Sequence, residues 1–430
     1  DNSTFISNFQ IAITDENATF NDGDQTHVFT GYYWKGAGSY AGSGTVQFTA
    51  SNHGQNIQGG AFHNLEFTGS TSYYKNLNGD VTLTANLTST GTLIDVKTYN
   101  ITGSGTFTLN SGNIYVRGAD NYPTFSSYVA GATSYSYYTG AVDQTIRAAN
   151  YGNLEIQGNT SKTLEGNISI TGRLYMYDNS GILYANNKNI YISKNWYNQY
   201  TASFVPGTGR VIFNGDAVNQ YIYLGPNSVN PFYDIEVNKG ETTILYGPSR
   251  DMQINGSLTV TSGKMYSYGG YTTSISGNMT VGTNGLIMQA GCYELNRPSG
   301  ECNIKTNGSI LNDLIINDGT TDCKFNLSDN LTVYGNFTLM SGEFNQNGYT
   351  AVLGNSLDNI TISGTYKVGA GGVLQIGSSS SFVVKSGGRF EAIGTAENYA
   401  QITNNAGRYY FTVESGGSIA AKYYNFSTVK

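Results

Sequence analysis

This chain is poor in several things that most enzymes use. Charged residues are 12% of its 430 positions, against about a quarter in an average soluble domain. Lys and Arg form no cluster and the formal net charge is −7, which argues against nucleic acid or an anionic membrane as the main partner. No apolar run approaches the ~18 residues of a membrane-spanning helix. The opening "DNSTFISN" has neither the basic start nor the apolar stretch of a signal peptide, so the chain is read as a mature form or a fragment of something longer.

Cysteine is scarce too. The three thiols, Cys292, Cys302 and Cys323, are an odd number, and their spacing matches no common zinc pattern. His27, His53 and His63 lie far from them in sequence. No metal and no cofactor are expected. Cys302 and Cys323 are close to one expected coil apart, so a disulfide between them is one expectation. A Cys292–Cys302 bridge, or three reduced thiols, are the others.

Helix signals are nearly missing, because Gly, with 55 copies, interrupts almost every window and no i, i+3, i+4 apolar face persists. Period-2 alternation fills the chain instead. "GTVQFTA", "DVTLTANLT", "NISITGRLYMY" and "SLTVTSGKM" are strand-length runs ended by Gly, Asn, Asp or Ser. With 39% apolar residues the chain is expected to fold, as an all-β protein of short strands.

One phrase recurs at long intervals: "FHNLEFTG", "YGNLEIQGN", "FYDIEVNK" and "LNDLIIND", anchored on Leu65, Leu154, Ile235 and Leu314. The three intervals are similar, each roughly 80 residues, the size of a small block of repeats. A second phrase follows each anchor, marked by Leu87, Ile168, Leu258 and Phe337. Leu87, Leu258 and Phe337 follow their anchors by nearly the same step, whereas Ile168 follows Leu154 much sooner. A step of roughly 20–25 residues is one coil of a β-solenoid, and a block of about 80 would hold three or four coils. Six Pro and the lack of charged or Ser/Pro spacers weigh against a string of separate β-sandwiches.

Near the C-terminus, Val368, Val384 and Val413 each begin a Val-x-Ser/Ala-Gly-Gly pattern, in which paired glycines suit a tight corner. The expected fold is a parallel β-solenoid, a right-handed β-helix of roughly 15–20 coils. Residues 1–40 form an edge or cap region, 41–365 the repeat-built solenoid and 366–430 a short-coil segment.

From Lys194 to Met265 the order is "NW", "FVPGTGRVIFNG", "NQYI", "FYDIEVN" and "LTVTSGKM". This order resembles the repeats of very large secreted surface proteins of Bacteroidota and related bacteria. Degraded copies cover about three quarters of the chain, and in the fourth block "GECNIKTNGS" replaces the usual core. The resemblance implies an extracellular, adhesin-like protein exported by a type IX route, and it carries no catalytic residues.

β-Helices also support polysaccharide lyases and hydrolases, which need paired carboxylates or an Arg/Lys base beside calcium-binding Asp. No Asp-Asp pair occurs, and no Ser-His-Asp set can be assembled. Asp313, Asp318, Asp322 and Asp329 are the densest acidic group, with Asp22 and Asp24 a second. The first could form a calcium or sugar site and the second could ligate calcium, but both read more simply as solvated turns. No catalytic residue is assigned.

Tyr, with 35 copies, clusters in "GYYWKG", "SYSYY", "NWYNQY" and "MYSYGGY". Tyr-x-Tyr in a strand puts both rings on one face, and outward rings suit sugars. The candidate glycan-stacking aromatics are Tyr32, Tyr33, Trp34, Tyr135, Tyr137, Trp196, Tyr197, Tyr266 and Tyr268, with Tyr138, Tyr200 and Tyr271 in the same clusters. The plainer alternative is that Tyr simply protects exposed strands. The expected function is a rigid extracellular or cell-surface segment, adhesin or stalk, that binds polysaccharide through these rings. A dedicated polysaccharide-binding module and a β-helix lyase or hydrolase are the alternatives.

Overall fold

The computed structural model describes residues 5–7, 11–13, 19–21, 23–36, 39–177, 181–198, 202–225, 231–319, 323–405, 407–427 and 429. Asp22, Tyr200 and Asp322 lie outside the described residues. All regular structure among those described is β, every strand pairing is parallel, and the strands stack as a β-solenoid of about 17 turns. By its contacts the chain divides into two units: Asp1–Gly209 with Gly225–Val229, and Arg210–Leu224 with Asn230–Lys430.

In the first unit each coil contributes several short strands that pair with those of the next coil, and the alternation seen in the sequence sends every second side chain inward. One inner row runs Phe29, Phe48, Phe67, Ser89 and Leu109 on successive coils. The ring centroids of Phe29 and Phe48 are 5.3 Å apart and those of Phe48 and Phe67 5.7 Å. A second row runs Ile94, Ile114, Ser136, Leu154, Leu174 and Trp196.

The strand Thr106–Val116 pairs with two strands of the preceding coil, Leu87–Ser89 and Thr92–Lys97, and bends between them at Gly112. There φ is +89°, and a Cβ would lie 2.1 Å from the Thr92 carbonyl oxygen. Only glycine fits that corner.

In the second unit the winding is most regular between residues 292 and 427. One inner row is Tyr293, Leu314, Phe337, Ile360, Phe382 and Phe411. Another is Cys302, Phe325, Phe344, Tyr366, Phe390 and Ile419. The third is Leu331, Ala351, Leu374, Ile402 and Phe426. Coil length varies along these rows, shortest from Phe325 to Phe344 and longest where Phe382 meets Phe411 and Phe390 meets Ile419. The winding runs through positions 365 and 366 without a change of sheet order, Thr365–Val368 lying between Glu343–Asn345 and Arg389–Ile393.

Leu87 stacks on Leu65, Leu258 on Ile235, and Phe337 on Leu314, so the step from anchor to second phrase is one coil. Ile168 differs: it pairs with Ile190, while Leu154 pairs with Leu174. The short step from Leu154 to Ile168 therefore carries the chain to a different sheet of the same coil. Leu65 and Leu154 also stand in different rows. Val384 stacks under Val413, but Val368 pairs with Ala392 in another sheet. The phrase marks a rung, and any face can carry it.

The expected cysteine bridge does not form, and none of the three cysteines is in a disulfide. The coil that starts at Cys302 closes at Phe325, just past Cys323, so Cys302 stacks on Phe325 and not on Cys323. Both thiols point inward, the Cys302 Sγ donating to the Gly277 carbonyl at 3.1 Å and the Cys323 Sγ to the Arg297 carbonyl at 3.2 Å. Cys292 is half-buried on a different strand, Cys292–Leu295, so the alternative Cys292–Cys302 bridge is also absent.

Candidate binding faces

Strand parity decides which predicted aromatics reach solvent. Neighbouring residues of a strand point to opposite sides, so "YW" in Tyr33–Trp34 and "WY" in Trp196–Tyr197 must each send one ring inward. Trp34 is 3% exposed and Trp196 0%. Trp34 packs edge-on against Phe29 and Phe48, with centroids 5.8 and 5.7 Å away, and Trp196 against Phe204 at 4.9 Å. Both tryptophans are core residues and offer no ring to an external ligand. Tyr138, from the "SYSYY" cluster, is also internal, its hydroxyl 3.0 Å from that of Tyr151.

The remaining candidates face outward. Tyr32 and Tyr33 are exposed, Tyr32 lying on the His53 ring with centroids 3.8 Å apart. Tyr135, Tyr137 and Tyr197 are half-buried on one sheet of the first unit, and Tyr266 and Tyr268 are half-buried in the second.

On that sheet of the first unit, Asp95, Tyr115, Tyr137, Glu155, Tyr175 and Tyr197 stand in register on six successive coils. The Tyr115 and Tyr137 rings are 4.7 Å apart and 6° from parallel, and Tyr175 and Tyr197 are 4.5 Å apart and 10° from parallel. Rings stacked this closely along the coil axis cover each other's faces. The row therefore presents ring edges and hydroxyls, not the flat apolar platforms on which a sugar ring would lie.

Two arginines decorate the row. Arg117 pairs with Asp95 at 3.0 Å and its guanidinium lies 5.9 Å from the Tyr115 ring centre. Arg173 donates to the Tyr175 hydroxyl at 3.0 Å and lies 5.9 Å from the Tyr197 ring centre. Burial, and then the Glu155 carboxylate, push the Tyr137 phenol well above its ordinary range. It stays a hydrogen-bond donor across the physiological pH range.

The second unit carries its own row, Tyr221, Tyr246 and Tyr266. Tyr221 and Tyr246 are stacked at 4.7 Å and 8°, whereas Tyr266 is tilted by 60° and Tyr268 meets it edge-on at 5.2 Å. The regular stack is thus lost at the third rung.

The acidic turns are tied into the coil corners. Asp313 accepts the Asn336 N–H at 2.7 Å, and Asp329 accepts the N–H groups of Thr306 and Asn307 at 2.9 and 2.6 Å. Asp318 is buried and accepts the Cys323 N–H at 3.2 Å. Asn64 and Asn86 do the same for the coils above them. Among the described residues no group of three or more His, Cys, Asp or Glu is placed to hold a metal ion.

One device has no counterpart in the sequence-based expectations. Three buried lysines, Lys75, Lys162 and Lys239, each sit one coil beyond a buried glutamine, Gln55, Gln144 and Gln220. Gln55 accepts from the Ala50 N–H and donates to the carbonyls of Phe29 and Gly31. Lys75 then donates to the Ala50 carbonyl at 2.8 Å and to the Gln55 Oε1 at 2.7 Å. Lys239 repeats this with Gly215 at 2.7 Å and Gln220 at 2.5 Å, while Lys162 donates to the Gly140 carbonyl at 3.1 Å.

Burial lowers all three ammonium groups from 10.5 to about 8. The glutamine of "NQYI" is therefore an internal staple for an open corner. The available signal was the recurrence of Gln with Lys about one coil later: Gln55 with Lys75, Gln144 with Lys162 and Gln220 with Lys239.

Comparison of the chain with protein-family models, with curated proteins and with solved structures finds no match.

Proposed function

We propose that this chain is a rigid segment of a bacterial surface or secreted protein, a stalk or adhesive rod that holds polysaccharide along its tyrosine-bearing faces and performs no covalent chemistry. The observation that carries the proposal is the register of the first unit's outer row, in which the phenol pairs Tyr115–Tyr137 and Tyr175–Tyr197 flank Glu155 on successive coils, with Arg117 and Arg173 beside them. Such a row offers hydrogen bonds at intervals of about 4.8 Å, which suits an extended chain of sugar hydroxyls better than a compact substrate. The extracellular setting is supported by the low charge, by the wealth of Asn, Thr and Tyr, and by the resemblance to secreted surface repeats.

The test is sedimentation of the purified chain with insoluble polysaccharides, with the supernatant assayed for released sugars. Binding without release, weakened by the pair Tyr137→Ala and Tyr197→Ala, is the expected result. Release of sugars would overturn the non-catalytic reading. Full binding by the double variant would move the contact away from this row.

A further inference from the structure

We infer that the first unit holds a discrete saccharide-binding groove centred on Tyr184, separate from the tyrosine row and on another sheet. The inference rests on the glycan-binding reading above and assigns it a site. The groove has a volume of about 470 Å³, within the ~300–1,000 Å³ usual for small-molecule sites.

Its floor is an outward row on three successive coils, Thr163, Tyr184 and Val205, in parallel register. One wall is Asp143 with Ser161, and the other is the corner of Asn186, Asn187 and Gly207.

The chemistry of this lining differs from that of the tyrosine row. Tyr184 has no aromatic neighbour among the described residues, so its ring is not consumed by stacking on another tyrosine. Asp143 lines the groove and accepts the Ser161 N–H through Oδ1 at 2.9 Å, which leaves its second carboxylate oxygen as a further acceptor. The opposite wall is held open by backbone geometry. Asn186 and Asn187 have φ of 51° and 61°, and the Asn187 Oδ1 accepts the Thr208 N–H and hydroxyl at 2.8 and 3.1 Å. That leaves the Asn186 amide and the Thr163 hydroxyl beside the ring.

A single aromatic face flanked by a carboxylate, an amide and a hydroxyl is the set that recognises a neutral pyranose. The ring covers the sugar's apolar face, and the polar groups pair with its hydroxyls. Asp143 at the wall disfavours anionic sugars.

The test is titration of the whole chain with neutral tetrasaccharides, β-1,4-linked glucose, xylose, mannose and N-acetylglucosamine, read by calorimetry and by saturation-transfer NMR. Tyr184→Ala and Asp143→Asn are the direct variants. Val205→Arg fills the floor without touching the core, and circular dichroism checks that each variant folds. Loss of a ring face and its flanking hydrogen bond should weaken binding at least about tenfold, with saturation transfer to Tyr184 in the parent chain.

If a tetrasaccharide binds and all three variants keep parental affinity, the groove is wrong while the glycan-binding reading stands. If neither the tetrasaccharides nor the insoluble polysaccharides bind the parent chain, both are wrong.

Discussion

Replacing Gln55 by Leu separates the polar staple from the shape of the core. Leucine fills nearly the same space, so little of the effect comes from a cavity. Four groups lose a hydrogen bond at once: the carbonyls of Phe29 and Gly31, the Ala50 N–H and the Lys75 ammonium. The Phe29 carbonyl keeps the Thr49 N–H, and Lys75 keeps the Ala50 carbonyl. Leaving a buried polar group unpaired costs about 1–3 kcal/mol. Local relaxation lets some of the four find water, so the expected loss is about 3–5 kcal/mol.

Coils of a solenoid contact mainly their neighbours, so the loss should be local. The assay is hydrogen exchange of the amides of residues 46–57 with urea unfolding alongside. Ala50, whose N–H is bonded to Gln55, should lose at least about 100-fold in protection, the equivalent of ~2.7 kcal/mol. Adding Lys75→Met should restore part of it, because the double change removes the stranded ammonium. A loss below about 1 kcal/mol, with Ala50 protection unchanged, would refute the staple.

Three further outcomes follow from the same packing. Lys75, Lys162 and Lys239 have folded values of about 8 against 10.5. The unfolded chain therefore holds more protons between those values, and stability should rise with pH across that window. The buried phenols of Tyr122, Tyr138, Tyr151, Tyr293 and Tyr366 are raised above 10.0 by burial. Their contribution is whole below 10 and is lost at higher pH, so a melting-temperature series should climb above pH 8 and fall beyond about 10; a monotonic fall from pH 8 would contradict it. Trp196→Ala should cost about 3–5 kcal/mol in urea unfolding and Tyr197→Ala about 1 or less, and equal costs would contradict the parity assignment. Thiol titration of the unreduced, denatured chain should count three free cysteines. In the native chain Cys292 should react slowly at pH 8, because burial and then Asp313 push its thiol up to about 11.

Much of the scaffold was legible because a solenoid writes its geometry locally. Alternation sets the inward rows, and the step from Leu65 to Leu87, from Ile235 to Leu258 and from Leu314 to Phe337 is the coil itself. Coil length drifts, however, and a spacing in sequence does not say which sheet a residue lands on. That is why Ile168 and Val368 lie on other sheets than Leu154 and Val384, and why the cysteine spacing fell just short of the Cys302–Phe325 coil.

The site was less legible. Parity alone requires that one ring of each pair, Tyr33–Trp34 and Trp196–Tyr197, leave the candidates, and the burial shows that it is the tryptophan. The ring geometry of Tyr115, Tyr137, Tyr175 and Tyr197 depends on rotamers that no sequence pattern encodes. The groove at Tyr184 joins residues from successive coils and its corner loop, so no short motif announces it.

The central claim is that neighbouring coils stack in parallel register, and crosslinking in the second unit tests it most directly. Thr338 and Thr361 face outward and are in-register neighbours, so their Cα atoms should be about 4.8 Å apart, inside the disulfide range of ~4.4–6.8 Å. Asn359 is two residues off register, about 8 Å from Thr338, and beyond that range. In a chain with the native cysteines replaced by serine or alanine, Thr338→Cys with Thr361→Cys should oxidise to an internal disulfide, and Thr338→Cys with Asn359→Cys should not. Equal crosslinking of the two pairs, or preference for the second, would contradict the stacked-coil account.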